Sequence, residues 1–186
     1  MRIAAQQLVR LPEVELDLRM RGGRAPRIEA LVGWEFRGFN VPAVTGLLGF
    51  QKFKKGFYLR PDESAGAGCC HGYNVLVAQN ELHEPWLAKP SEGMPKRHGF
   101  YDVAPVSASA RHRLYPNALL IDYGVRENSR VNPERLIRDY LVQPDPSDPD
   151  VLLGFATIAL GFTTVRFGFF VLDRDQPPVG FTPPSR

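Results

Sequence analysis

Apolar and polar side chains alternate with a period of two through the C-terminal two-thirds of the chain. Residues 72–79 set Tyr73, Val75 and Val77 on one face and Asn74, Leu76 and Ala78 on the other. Residues 100–112 alternate for longer, with Phe100, Asp102, Ala104, Val106, Ala108 and Ala110 against Tyr101, Val103, Ser107 and Ser109. Residues 33–39 oppose Trp34 and Phe36 to Glu35 and Arg37, and residues 118–123, 136–142, 151–160 and 165–172 are short apolar runs. All are bounded by Gly, Pro, Asn or Asp, and all read as strands. The three prolines in residues 144–150 remove backbone donors and fix φ, which ends a strand, and residues 161–164 are short enough for a hairpin. Strands in sequence with brief links predict an antiparallel meander. Several are apolar on both faces. That suits a closed barrel with a lined interior, whose exterior is covered by other segments or by a second copy of the chain.

Two earlier segments carry another period. Val44, Leu47, Leu48 and Gln51 are spaced by three and four, predicting a short helix over residues 42–53, with Pro42 in its first turn. Lys54 and Lys55 would then sit near its C-terminal dipole, and Gly56 would stop it. Residues 8–20 satisfy both periods: Leu8, Leu11, Val14 and Leu18 fit a helix, Val14, Leu16, Leu18 and Met20 a strand. Glu13 and Glu15 early, with Arg19 and Arg21 late, favour the helix. The fold expected is mostly β, an antiparallel up-and-down β-barrel with one or two short helices near the N-terminus. Residues 1–30 form a helical or extended segment, residues 31–174 the barrel, and residues 175–186, with four prolines, a loosely held tail.

Trp34-Glu35-Phe36-Arg37-Gly38 is followed by Thr45-Gly46-Leu47-Leu48 and by Lys55-Gly56-Phe57. This order resembles a set of bacterial proteins named for a Gly-x-Trp-x-Gly signature, in which a strand leads into a Pro- and Gly-containing helix and then a Lys-x-Phe strand. Leu152-Leu153-Gly154 and Gly168-Phe169-Phe170-Val171-Leu172 are similar to that set's closing strands. Trp34 stands in place of the first Gly and Phe36 in place of Trp, so the signature itself is broken. The succession of strand, helix and antiparallel strands also resembles the calycin group of lipocalins and fatty-acid-binding proteins. That resemblance implies a calycin-like barrel binding a small apolar ligand, and it supplies no catalytic residue.

Composition narrows the function classes. The net charge of +3 comes from 23 basic and 20 acidic residues without a long basic cluster, which argues against a nucleic-acid partner. Residues 151–162 are too short to span a membrane, and residues 1–10 lack the apolar core of a secretory leader. Cys69 and Cys70 are neighbours and close no useful loop, which fits a reducing, cytoplasmic setting. Cys69-Cys70-His71 has no second ligand pair to make a zinc site, and His71 and His98, the candidates for an axial haem ligand, sit beside glycines in expected loops, so neither a metal nor a cofactor is expected.

The interior of an eight-stranded barrel holds packed side chains or one small ligand. Trp34, Phe36, Phe50, Phe53, Phe100, Phe155, Phe167 and Phe169 are candidates to line it, or to fill it as a dry core. Polar residues within apolar strands, Asp122 and Asp139 first and then Asp102, Asn74 and Gln79, are the more informative positions. The candidate binding set is Trp34, Phe36, Phe53, Arg111, Asp122, Arg138, Asp139 and Tyr140, with the helix over residues 42–53 as a lid. Against it stand local roles: Asp122 capping a turn at Gly124, and Asp139 paired with Arg111, Arg113 or Arg138. The expected function is binding of a small hydrophobic molecule. The alternative is an isomerase, cyclase or dehydratase in the same cavity. An enzyme would keep a carboxylate there with a raised pKa and no compensating arginine, whereas a pure binder would pair it.

Overall fold

The computed structural model describes residues 1–41, 51–107, 114–161 and 163–184. Three short helices come first: α1 (Ile3–Val9), α2 (Glu13–Gly22) and α3 (Ile28–Leu31). The ambiguous stretch over residues 8–20 is thus helical but broken. Pro12 cannot occupy a helix interior and instead stands at the N-cap of α2, with Glu13 and Glu15 in its first turn and Arg19 and Arg21 in its last.

The strands are β1 (Glu35–Asn40), β2 (Lys52–Tyr58), β3 (Cys70–Val75), β4 (Pro90–Ser91), β5 (Met94–Pro95), β6 (Arg97–Pro105), β7 (Leu119–Asp122), β8 (Ile137–Val142), β9 (Val151–Leu160) and β10 (Thr163–Arg174). Eight of them close into an antiparallel barrel in the order β1-β10-β9-β8-β7-β6-β3-β2, while β4 and β5 form a separate small hairpin. Sequential strands are neighbours, and β10 returns to β1 with Phe36 opposite Arg174. The expected mostly-β, up-and-down barrel with short N-terminal helices is therefore present.

Strand β2 corrects the helix expected over residues 42–53. Lys52 to Lys55 are extended and laddered to β1, with Phe53 opposite Gly38 and Lys55 opposite Phe36. Residues 42–50, which hold most of that expected helix and its lid role, lie outside the described residues. The Lys55-Gly56-Phe57 strand implied by the resemblance is found within β2.

Both faces of the barrel are apolar because both are covered. Outside, Phe155 and Phe169 meet edge to face at 4.7 Å and share one cluster with Ala5 and Leu8 of α1 and Leu16 and Met20 of α2. The tail is held as well: the Phe181 ring lies 4.9 Å from Tyr58 and 4.5 Å from Tyr73. Inside, Phe36, Phe57, Val103, Leu119, Leu152 and Leu172 cluster with Ile28 and Leu31, so α3 stops one end of the barrel. A bulge between Arg166 and Gly168, with Gly168 at φ +153°, shifts the phase of β10 by one residue. The shift turns Phe167 as well as Phe170 toward the interior of the other end.

Candidate functional site

Among the described residues the other end of the barrel is open and holds a cavity of about 580 Å3, a size that suits one small ligand. Its apolar wall includes Phe53, Ile137, Ala156, Ile158, Phe167 and Phe170. Two glycines make that wall. A Cβ on Gly38 would sit 2.2 Å from the Phe53 ring and one on Gly154 would sit 2.1 Å from Phe170, so only glycine lets these rings lie flat across the strands. The two rings meet edge to face at 5.8 Å.

At the floor of the cavity lies a buried ionic cluster. Phe53, Lys55 and Phe57 alternate inward along β2, so a strand with lysine on both faces delivers one ammonium to the centre. Lys55 is 2% exposed and Asp139, on β8 across the barrel, is 3% exposed. Their Nζ and Oδ2 atoms are 3.1 Å apart. Lys55 Nζ also donates to Asn74 Oδ1 at 3.1 Å and, in a short contact, to the Tyr123 hydroxyl. Tyr123 OH in turn donates to Asp139 Oδ2 at 3.2 Å and accepts from Asn74 Nδ2 at 3.2 Å. The cation lies over the rings of Tyr101 at 4.8 Å and Tyr123 at 4.9 Å.

Burial dominates the electrostatics. It pushes the Lys55 ammonium below its ordinary pKa and the Asp139 carboxyl above its own, each opposed by the partner's charge. Both shifts favour the neutral forms, so the energetic gap for passing a proton from Lys55 to Asp139 is narrowed. Burial, then the charge of Asp139, holds the Tyr123 phenol well above its ordinary value, so it stays a donor. Nearer the mouth, His98 Nδ1 is 2.9 Å from Glu134 Oε1, and Asn132 Nδ2 donates to Glu134 Oε2 at 3.0 Å. The His98 hydrogen bond holds the Glu134 carboxyl below its usual range.

The residues singled out from the sequence separate into three groups. Phe53 and Asp139 line the cavity, as does Asn74. Phe36 is interior but lies in the closed half, 5.6 Å from Phe57, and Trp34 sits near that end with the Arg174 guanidinium 4.8 Å from its ring. Asp122, Arg138 and Tyr140 face outward, correcting their expected place inside. Asp122 and Arg138 pair at 3.0 Å, Asp122 also accepts from Gly124 N at 2.6 Å, and Tyr140 packs 5.6 Å from Tyr115. Of the aromatic candidates, Phe155, Phe169 and Phe100 belong to the outer cluster. Arg111 and Phe50 lie outside the described residues.

Asp139 pairs with Lys55 from the opposite wall, while Arg138 pairs with Asp122; Arg111 and Arg113, the other expected partners, lie outside the described residues. Sequence reasoning missed Lys55, Tyr123 and Glu134 as one site. The available signal was an apolar alternation (Phe53, Phe57) running through the lysines of β2. Gln79 is used structurally, accepting from the backbone N–H of Gln51 at 2.8 Å and Lys52 at 2.9 Å. Asp102 lies 2.6 Å from His71 Nδ1, while Glu63 meets Nε2 of the same ring at 2.9 Å. These carboxylates occupy opposite ring edges and do not converge. Among the described residues, no group of three or more His, Cys, Asp or Glu is arranged to hold a metal ion, and no helix is long and apolar enough to cross a membrane.

No protein-family model matches this chain, and no curated protein matches it in sequence.

Proposed function

We propose that the barrel binds a small, largely apolar and electrically neutral molecule, with its polar end at the Lys55 cluster. The carrying observation is the pairing of Lys55 with Asp139 at 3.1 Å inside an apolar-walled cavity. Their charges already cancel. An anionic head group would bring a second negative charge toward Asp139 and Glu134 in a low-dielectric site, whereas a carbonyl or hydroxyl can exchange hydrogen bonds there without that cost. The closed eight-stranded meander supports this reading through its resemblance to calycins, which hold small apolar molecules in the barrel. The adjacent free thiols of Cys69 and Cys70 fit a cytoplasmic setting.

Titration with N-phenyl-1-naphthylamine, a neutral dye, tests the proposal. Its fluorescence is expected to rise on binding and to fall when decanol is added, with decanoate weaker by at least about tenfold. Absence of dye binding, or decanoate competing as well as decanol, removes this reading. A catalytic use of the same cavity is favoured by one feature: Asp139 combines a raised pKa with no arginine partner among the described residues, and Tyr123 stands beside it as a donor. Such a pair could move a proton next to a carbonyl, as an isomerase, cyclase or dehydratase requires. Loss of the α-hydrogen NMR signals of 2-decanone in D2O, faster with protein than without, is the expected sign of it. Equal rates exclude that activity.

A further inference from the structure

Lys55 is oriented differently from its neighbours on β2. Lys52 donates to Asn80 Oδ1 at 2.6 Å and to the carbonyls of Glu81 and Glu84, with its ammonium 3.9 Å from the Trp86 ring. Lys54 pairs with Asp175 at 3.0 Å on the outer face. The Lys55 amine is directed to the cavity floor, and each of its polar partners there can take part in proton movement or bind an oxygen. Asp139 can accept its proton, Tyr123 can donate, and Asn74 can position an incoming oxygen through its amide. Phe53 and Phe170 flank the ammonium at 5.6 and 5.5 Å, so a ligand chain along that wall brings its end to Nζ.

We propose that Lys55 is an amine nucleophile that condenses with the carbonyl carbon of an apolar aldehyde or ketone seated in the cavity. This rests on the cavity being a ligand site, and it names the substrate class. Asp139 first takes a proton from the ammonium. The freed lone pair forms the C–N bond while the carbonyl π pair moves to oxygen, which takes that proton back from Asp139. The surplus proton on nitrogen then returns to the carboxylate, leaving a neutral carbinolamine. Asp139 passes this proton to the hydroxyl, the C–O bond breaks, and water leaves as the nitrogen lone pair closes the C=N bond. The product is an iminium cation beside the Asp139 carboxylate, so the charge balance of the resting pair is preserved and no oxidant or reductant is consumed. Burial, which favours the neutral amine, assists the first step.

The chain has five lysines, so the site of reaction can be read directly. Wild-type protein is incubated with decanal and sodium cyanoborohydride at neutral pH, which reduces an iminium to a stable secondary amine. Intact mass is expected to rise once, by the mass of decanal less one oxygen, and peptide mapping is expected to place the gain on Lys55. Pre-loading with decanol is expected to suppress the adduct. Labelling spread over Lys52, Lys54, Lys89 and Lys96, or unchanged by decanol, overturns the proposal. Displacement of N-phenyl-1-naphthylamine by decanal without an adduct at Lys55 also overturns it but leaves the binding reading standing. Failure of the dye to bind at all removes the binding reading on which it rests. Because the map is made on the wild-type chain, no variant has to fold. Lys55→Gln serves as a second check, its adduct expected to vanish while circular dichroism stays that of the barrel.

Discussion

At the closed end of the barrel Phe36, Phe57, Leu119, Leu152 and Leu172 fill the interior against Ile28 and Leu31 of α3. Further along the same strands the interior holds Phe53, Lys55, Asn74, Tyr123 and Asp139 around a cavity. The two halves share a backbone and a register, yet they are stabilised in different ways. The closed half gains by excluding water, and any well-packed apolar set serves it. The open half holds an ammonium and a carboxylate whose desolvation must be offset group by group, through Asn74 and Tyr123 as well as through each other. The barrel can keep a cavity in this half because the other half and the outer helices carry the packing.

The sharpest test of this contrast is Phe57→Ala. It removes a fully buried ring in contact with Phe36 and Tyr101, and unfolding in urea is expected to show a loss of about 4 kcal/mol. A loss below about 1 kcal/mol would mean that the closed half is not the packed core described here.

Slightly smaller is the effect of breaking the ionic cluster. Lys55→Met leaves Asp139 buried without its cation and is expected to cost about 3 kcal/mol. Adding Asp139→Leu to it should recover stability to within about 1 kcal/mol of wild type while dye displacement by decanol is lost. If the double variant is no more stable than the single one, the cost lay in packing and the cluster is not a matched pair.

The smallest effects separate the two ends by pH. Glu134, near the mouth, has its pKa lowered from the ordinary 4.5 by its hydrogen bond to His98. Its contribution is present above that ordinary value and is lost as pH falls through the lowered one. His71, on the outer face near the closed end, has its pKa raised from the ordinary 6.5, by Asp102 first and also by Glu63. Its contribution is complete below 6.5 and is lost as pH rises through the raised value. Glu134→Gln should therefore flatten the acid limb of the stability curve and His71→Gln the alkaline limb, each by under about 1 kcal/mol. Denaturation midpoints measured across pH check both, and a swap of the two limbs would refute the assignment.

Much of the barrel was legible because a strand repeats every two residues wherever its neighbours lie. β6 through β10 could be read in this way, with their hairpin order. β2 could not: Lys52-Phe53-Lys54-Lys55 carries charge on both faces, and the outer lysines find partners in Trp86, Asn80 and Asp175, from distant parts of the chain. Phe169 was expected inside, whereas Phe170 is the interior ring. An apolar run of both phases does not say which phase faces in, and here the bulge at Gly168 also shifts it. Asp139 stood out as a carboxylate in an apolar strand, while Asp122, equally conspicuous, turned out to pair outward with Arg138.

Asp139 is the point where the sequence reading and the structure meet. The chain by itself determined that strands form, that they pair with their sequence neighbours, and that a carboxylate lies among apolar residues, because each of these follows from local period and turn chemistry. Closure of the barrel decided the rest. Lys55 and Asp139 lie 84 residues apart, on strands that are not hydrogen-bonded neighbours, and only the joining of β1 to β10 brings these opposite walls to 3.1 Å.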